Sequence, residues 1–346
     1  MSNHVITAFT IGFTTAFFFL YGRYALVLLP KRTRLQMVIG ILFLIRAVWT
    51  AKGIITGFPE YRHLYYMYEL VIIDGWKNIT YLIFLFELIH PNWTTWRRFF
   101  MLALPFIPAS AIYFIWPGTS SLVVYIAFIV SYNIAISVYI WIKGVSLTRY
   151  IHQNYSNIEN IDISWLKYVI ILGILDIITW IIAIIFLIPL TEIIYYVMLV
   201  ILWQIIWINS LNQKPIKIED LSIISPSPLK EYSFAGKIEQ QVEKEQLYLN
   251  KDLTLADMAQ AVKTNRTYLS DYFCNVKKTT FYDYINQLRI EQMATPLIQQ
   301  HPEYTFEYIA NKSGFKSIST FRRAFAKFTG KSPSQYRSDL TFEDTI

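Results

Sequence analysis

Long apolar stretches dominate the first two thirds of this 346-residue chain. A helix needs roughly 20 mostly apolar residues to cross about 30 Å of hydrocarbon. Buried helices of a soluble protein do not explain these stretches, because residues 168–190 contain a single charged side chain and a soluble helix needs a solvated face. The sequence therefore predicts seven membrane-spanning helices. Their windows are residues 5–29, 35–57, 65–89, 99–116, 121–142, 165–188 and 190–211.

Basic residues in the loops predict how this bundle is oriented. The loops after the first, third and fifth windows are basic, with Lys31, Arg97 and Arg149 among their residues, whereas the alternate loops carry little charge. Cytoplasmic loops of membrane proteins are enriched in lysine and arginine. The N-terminus is therefore predicted outside and the C-terminus in the cytoplasm. A stripe of small residues on the fifth window admits close helix approach, either within the bundle or in a homodimer. It consists of Ala127, Ser131 and Ala135.

Several charged residues fall inside the predicted spans, where a charge is costly and needs a partner. One interpretation is a polar ligand or ion site, or a salt-bridge network that reports a signal. The other interpretation is a structural network that locks the bundle, and the sequence leaves both open. The residues are Arg46, Lys52, Glu69, Asp74, Lys77 and Asp176.

The composition changes near residue 230. Residues 1–229 hold 15 Lys/Arg and 10 Asp/Glu, whereas residues 230–346 hold 16 and 14 in half the length and contain no tryptophan. Polar, proline-containing residues separate the two parts, as expected of an extended linker. The predicted fold is all-α. Its predicted domains are a polytopic membrane domain at 1–211, a linker at 212–233 and a soluble domain at 234–340.

Two pairs of short helices are predicted in the soluble domain. Thr254 followed by Asp257 has the pattern of a capping box. Asn265 is placed to cap a second helix after a short break. Two short helices joined by a tight turn form a helix-turn-helix, in which the second helix enters the major groove of DNA.

The same layout recurs about fifty residues later. There Gly314 can adopt a left-handed turn, and Ser317 or Ser319 can cap the following helix. Residues 281–300 are predicted as a long helix that joins the two pairs. The sequence therefore predicts two helix-turn-helix motifs in tandem.

The second motif and its flanks resemble the C-terminal signature of the AraC/XylS family of bacterial transcription regulators. The matching positions include Ile309-Ala310, Gly314-Phe315, Phe321-Arg322-Arg323-Ala324-Phe325, Gly330 and Ser332-Pro333. The resemblance covers roughly 235–340 and implies a seven-helix domain that presents two recognition helices to successive major-groove segments. The chain departs from the family at Lys263 and Lys278, where a turn glycine is frequent. It also departs at Pro296, where a leucine is usual and where a proline favours a kink or an early helix end.

The start of each recognition helix is predicted to meet base edges, and lysines and arginines are predicted to neutralise phosphates. Between Tyr308 and Ser338 there are seven Lys/Arg and no Asp or Glu. The residues predicted to contact DNA in the first motif are Asn265, Arg266, Thr267 and Ser270. Those in the second motif are Lys316, Ser317, Ser319, Arg322, Arg323 and Lys327.

Together these features predict a one-component transcription regulator in the cytoplasmic (inner) membrane of a bacterium, with its DNA-binding domain in the cytoplasm. The predicted partners are double-stranded DNA, the lipid bilayer and an unknown small-molecule or envelope signal sensed by the bundle. The alternatives are a transporter- or channel-like protein with a regulatory DNA-binding domain, or a passive anchor with constitutive DNA binding. Neither an enzyme nor a metal or cofactor site is predicted, because the sequence lacks a nucleophile elbow, a metal-spaced histidine pair and a phosphate loop.

Overall fold

The computed structural model describes residues 3–56, 68–186, 188–215, 232 and 234–343. In these residues all regular structure is helical, apart from an isolated β-bridge between Tyr155 and Thr254. The predicted all-α class is therefore confirmed for this part of the chain. Most of the predicted linker at 212–233 lies outside the described residues.

The chain divides into two compact units. The first unit comprises Met1–Ser146 and Ile163–Ile216, and the second comprises Leu147–Asp162 and Lys217–Ile346. The sequence boundaries placed Leu147–Asp162 in the membrane domain, whereas in the structure this segment packs with the C-terminal unit.

The helices of the first unit account for most of the predicted windows. They are α1 (Asn3–Arg23), α2 (Arg34–Thr56), α3 (Tyr68–Gly75), α4 (Asn78–Ile89), α5 (Trp96–Ala103), α6 (Phe106–Ile115), α7 (Thr119–Asn154), α8 (Leu166–Phe186) and α9 (Pro189–Ser210). Within the described residues, six helical stretches are long and apolar enough to cross a membrane. They are Val5–Leu28, Arg34–Ile54, Trp96–Ile115, Thr119–Asn154, Leu166–Phe186 and Pro189–Ser210.

The third predicted window, residues 65–89, is not one of these six because its helix is broken between α3 and α4. Side chains bond carbonyl groups around the break. The Tyr125 hydroxyl donates to the Ile72 carbonyl at 2.6 Å, and Asn78 Nδ2 donates to the Gly75 carbonyl at 2.9 Å. The hydrophobic pattern gave no sign of the break, because both halves are apolar.

The first unit is apolar on the outside and carries charge inside. Phe9, Val48 and Ile185 are 69%, 75% and 64% exposed, whereas Arg46 and Asp176 are only 2% and 5% exposed. In a soluble domain large apolar side chains gather inside and charges lie outside. The inverted distribution suits a hydrocarbon environment.

The second unit is built from short helices around two hydrophobic cores. Its helices are α10 (Ala235–Ile238), α11 (Leu255–Ala261), α12 (Arg266–Asp271), α13 (Phe281–Leu288), α14 (Thr295–Gln300), α15 (Phe306–Lys312), α16 (Ile318–Thr329) and α17 (Pro333–Glu343). Phe273 and Phe281 belong to the first core, and Phe321 and Phe325 belong to the second. Each core is therefore assembled around one of the two short-helix pairs.

The predicted joining helix at 281–300 is present, in three consecutive pieces. A π-helical stretch at Arg289–Ala294 connects α13 to α14. Pro296 lies in the first turn of α14, where a missing backbone N–H is tolerated best. The helix therefore continues to Gln300 instead of ending at the proline.

Candidate nucleic-acid interface

The first helix pair, α11 and α12, begins each helix with a side-chain cap. Thr254 Oγ1 accepts from the Asp257 amide at 3.2 Å, and the Asp257 carboxylate accepts from the Thr254 amide at 2.9 Å. Asn265 Oδ1 accepts from the Tyr268 amide at 2.9 Å. Both caps were predicted, because capping depends only on residues three positions apart.

Two lysines in and after this pair adopt left-handed backbone conformations. Lys263 has φ +58° in the turn between the helices, and Lys278 has φ +50° after the second helix. These are the positions where the resembled family frequently has glycine. A residue with a Cβ atom is destabilised by about 1–2 kcal/mol in this conformation, so each of these lysines lowers the stability of the domain.

The second helix pair, α15 and α16, turns at a glycine that no other residue can replace without displacement. Gly314 has φ +83°, and a Cβ atom there would lie 2.8 Å from the Leu249 carbonyl oxygen. Ser317 then caps α16, because its hydroxyl accepts from the Thr320 amide at 3.3 Å. Of the two serines proposed as caps, Ser317 therefore serves and Ser319 remains exposed on the helix.

The outer face of α16 is basic and open to solvent. Arg322 and Arg323 are exposed one turn after the cap. Two further predicted contact residues, Lys327 and Lys316, are exposed but form salt bridges within the protein. Lys327 Nζ lies 2.6 Å from the Asp283 carboxylate, and Lys316 pairs with Asp252. DNA phosphates would compete with both carboxylates for these lysines.

Arg337, one of the seven basic residues between Tyr308 and Ser338, does not lie free for DNA but packs within the domain. Its guanidinium carbon lies 3.9 Å from the centre of the Phe306 ring, and Nη2 donates to the Tyr304 carbonyl at 2.7 Å. Desolvation lowers its pKa. Arg337 therefore ties α17 to the start of α15.

The predicted contact residues of α12 and its cap are less exposed to solvent than those of α16. Asn265 is exposed, whereas Arg266, Thr267 and Ser270 are half-buried. The Arg266 guanidinium carbon lies 5.9 Å from the centre of the Tyr150 ring, which belongs to the end of α7. The two helix pairs therefore differ in how much of their outer surface is accessible.

Asp271 follows this set and carries a negative charge that would repel phosphate. Its carboxylate accepts hydrogen bonds from the Tyr232 hydroxyl and from Asn275 Nδ2, the latter at 2.6 Å. The bond to Asp271 raises the pKa of the Tyr232 hydroxyl. The carboxylate is therefore engaged within the domain and presents less of its charge outward.

A buried arginine that was not predicted as a site residue joins the two cores. Arg289 is 1% exposed and its guanidinium donates to the carbonyls of Tyr248 at 2.7 Å and Asn250 at 2.8 Å. It also lies 5.5 Å from the Phe315 ring of the second core. Burial lowers its pKa to about 10, so it stays protonated at neutral pH. In the sequence, the presence of an arginine within an otherwise apolar helix face could have indicated this structural role.

The first unit brings together three of its predicted charges. Arg46 Nε donates to Thr80 Oγ1 at 2.8 Å, and Nη2 donates to the Lys77 carbonyl at 3.2 Å. The Lys77 ammonium lies 4.5 Å from the Tyr195 ring and 5.0 Å from the Trp180 ring. Asp176 is buried within electrostatic range of both cations.

The other predicted intramembrane charges have separate partners. Lys52 forms its salt bridge with Asp74, so Asp74 is not paired with the nearer residue in sequence, Lys77. Glu69 accepts a hydrogen bond from the Tyr113 hydroxyl at 3.2 Å. Within the described residues, no group of three or more His, Cys, Asp or Glu could hold a metal ion.

Comparison with known proteins identifies the family of the second unit. The family described as "Helix-turn-helix domain" matches residues 258–339. An uncharacterized HTH-type transcriptional regulator of Staphylococcus aureus (strain COL) is 31% identical over 103 residues, which are 30% of this chain and 14% of that protein. The melibiose operon regulatory protein of Escherichia coli (strain K12) is 36% identical over 85 residues, 25% of this chain and 28% of that protein.

The C-terminal part of the chain is therefore a helix-turn-helix domain of the AraC type, which confirms the predicted resemblance. These relatives are transcription regulators, and the chain spans 14% to 28% of their length. No solved structure matches the chain significantly. The family match lies at residues 258–339, within the second unit, so an assignment of function to the first unit rests on its own structure.

Proposed function

We propose that this protein is a membrane-embedded one-component transcription regulator. Its second unit binds double-stranded DNA through two helix-turn-helix motifs, with α12 and α16 as recognition helices. The observation that carries the proposal is the exposed basic face of α16, with Arg322 and Arg323 one turn after the Ser317 cap. Residues at the start of a recognition helix meet base edges, and neighbouring cations neutralise phosphates.

The first unit is proposed to cross the cytoplasmic membrane of a bacterium seven times. Six long apolar helices support six spans, and the broken pair α3 and α4 is proposed as the remaining one. The ends predicted to be cytoplasmic meet in the structure: Arg34 donates to the Thr94 carbonyl at 2.8 Å, and Gln36 donates to the Leu211 carbonyl at 2.7 Å. Their basic loops favour a cytoplasmic location for these ends, and this supports the proposal that the second unit lies in the cytoplasm, where DNA is.

The buried charges are proposed to make the bundle the sensor. Arg46, Lys77 and Asp176 lie in its interior, where a change in hydration or in one partner has a large electrostatic effect. A small molecule or an envelope signal that favours one arrangement of these groups would shift the equilibrium between two states. Association of two chains through the small-residue stripe Ala127, Ser131 and Ala135 is part of the same proposal.

A transporter- or channel-like protein is the second candidate, and the break between α3 and α4 favours it. Discontinuous helices form ion and substrate sites in many secondary transporters. Charge movement in proteoliposomes exposed to a panel of inorganic ions and amino acids would support this candidate. A regulator alone would give no such current.

The DNA-binding proposal is tested by selecting duplexes from a randomised 40-base-pair library with the full chain in lipid nanodiscs. Recovered sequences should share a motif, and the variant Arg322→Ala/Arg323→Ala should lose at least tenfold in affinity for them. Lys237→Ala is the control, because Lys237 is an exposed cation on α10, outside both helix pairs. If no common sequence is enriched, or both variants bind equally well, the proposed role of α16 is wrong.

A further inference from the structure

We propose that the end of α7 and the segment after it, Leu147–Asp162, inhibit DNA binding by covering one edge of the first recognition helix, α12. The segment would have to leave this edge before the first helix pair can enter the major groove. This inference rests on the DNA-binding function proposed above. It concerns contacts within the second unit, to which the segment belongs.

The segment is fastened at the base of the first helix pair by Ser156, which is fully buried. Its amide and its hydroxyl both donate to the Leu253 carbonyl, at 3.2 and 2.6 Å. Its own carbonyl accepts from Arg289 Nη1 at 3.2 Å. The adjacent residue, Tyr155, forms the isolated β-bridge with Thr254, which caps α11. The attachment is therefore a specific, desolvated joint.

From this joint the preceding turn of α7 runs along α12 and the π-helical stretch that continues it, Tyr272–Val276. Tyr150 lies against Arg266, and Gln153 Nε2 lies 3.2 Å from the Cys274 sulfur. Residues four apart lie on one side of a helix, so Arg266, Ser270 and Cys274 form one edge. The contacts with α7 lie at the two ends of this edge, and Ser270 between them is half-buried.

This edge includes two of the four residues predicted to contact DNA in the first motif, Arg266 and Ser270. A DNA duplex approaching them would meet the ring of Tyr150 and the amide of Gln153. The equivalent helix of the second pair has no such cover, since Ser319, Arg322 and Arg323 are exposed. One recognition surface is therefore open and the other is partly occupied by the protein itself.

The two parts of the contact differ in strength in the way that a switch requires. The Ser156 joint is buried, whereas the contacts of Tyr150 and Gln153 lie near the surface, where a cation–π contact contributes about 0.5–1 kcal/mol. The edge can therefore open while the joint holds. The 36 residues of α7 give a helix of about 54 Å, longer than the roughly 30 Å of a hydrocarbon core. The last turns of α7 are therefore proposed to lie beyond the hydrocarbon core.

Cys274 is the only cysteine in the chain, which permits a direct test. Gln153→Cys places a second thiol opposite it, and a short bismaleimide should join the two in the full chain in nanodiscs. Treatment of the same variant with N-ethylmaleimide modifies both thiols without joining them. Gln153→Cys/Cys274→Ser, treated with bismaleimide, controls for modification at position 153. The opened state is represented by Tyr150→Ala/Gln153→Ala.

Affinity is measured for one fluorescent duplex recovered in the selection described above. The opened variant should bind the duplex at least tenfold more tightly than the joined protein. The two control proteins should not bind the duplex more weakly than the joined protein. Equal affinity of the opened and joined forms would overturn this inference alone. Failure of the thiols to join would also overturn it, because the contact would then be absent. Absence of binding in every form would instead overturn the proposed DNA-binding function.

Discussion

Arg289 donates from Nη1 to the carbonyl oxygen of Ser156 at 3.2 Å, although the two residues are 133 positions apart. Arg289 lies on the helix that joins the two short-helix pairs, and Ser156 lies in the segment that follows α7. A buried guanidinium is costly unless its N–H groups are bonded. Arg289 also donates to the carbonyls of Tyr248 and Asn250 and to the side-chain oxygens of Ser156 and Asn286, so one side chain holds three separate parts of the chain together.

We expect Arg289→Met to destabilise the second unit by on the order of 3 kcal/mol, because it leaves several buried carbonyls without a donor. Hydrogen–deuterium exchange of the full chain in nanodiscs should show faster exchange in peptides covering residues 247–262. Arg322→Met is the matched control, since Arg322 is exposed on α16. Equal exchange in the two variants would contradict the structural role of Arg289.

The left-handed lysines predict stabilising substitutions. Lys263→Gly and Lys278→Gly should each raise stability by about 1 kcal/mol, because glycine adopts positive φ without the Cβ clash. Lys277→Gly is the control: Lys277 has φ −79°, so glycine there should be neutral or destabilising. Pulse proteolysis of the second unit in urea measures the three variants, and a stabilising Lys277→Gly would show that charge removal and not backbone strain is responsible.

The features of the second unit that could be predicted from the sequence are local ones. The caps at Thr254, Asn265 and Ser317 and the turn at Gly314 each depend on residues within a few positions, and each is present. The long helix at 281–300 was also predicted, and it is present as three consecutive pieces. The AraC-type character of the domain followed from many spaced positions together, and the comparisons confirm it.

The features that the sequence did not predict depend on distant contacts. The break between α3 and α4 is held by Tyr125, which is 53 positions from Ile72 in sequence. The helix α7 continues to Asn154 because its last turns pack with the second unit, whereas hydropathy alone ended the span at residue 142. Neither the partner of Asp74 nor the burial of Ser156 can be obtained from spacing along one helix.

Asn265 combines two roles that substitutions can separate. Its side chain caps α12, and it is predicted to contact a base. Asn265→Ala should cost about 1 kcal/mol of stability and weaken DNA binding. Asn265→Asp should retain stability, because aspartate caps equally well, but should weaken binding through repulsion of phosphate. Thermal unfolding and DNA titration on both variants measure the two effects, and unchanged binding by Asn265→Asp would exclude this residue from the interface.

Asp252 is expected to restrain DNA binding through its salt bridge with Lys316. Asp252→Asn frees the lysine for a phosphate, so affinity should rise and the slope of log K against log salt should steepen by about 0.9. Glu245→Gln makes the same change of charge at an exposed position outside both helix pairs. A steeper slope in both variants would indicate a general effect of net charge, and no steepening in Asp252→Asn would show that Lys316 does not reach phosphate.

The last prediction concerns the buried charges of the first unit. Asp176 lies within electrostatic range of Arg46 and Lys77, and its Oδ1 has no hydrogen-bond partner among the described residues. Asp176→Asn keeps the shape of the side chain but leaves two buried cations without this counter-charge, so stability should fall by about 3–5 kcal/mol. Adding Lys77→Met should recover part of the loss, because one uncompensated cation is removed.

Tryptophan fluorescence can follow this unfolding selectively, since all ten tryptophans lie at or before Trp207. The thermal midpoints of the two single variants and the double variant form a double-mutant cycle. A smaller loss in the double variant than the sum of the single losses would show that the charges interact. Strictly additive losses would mean that Asp176 and Lys77 stabilise the bundle independently. Measuring DNA binding on the same proteins then separates the two interpretations of the cluster, because a purely structural network should alter stability without altering affinity in the folded fraction.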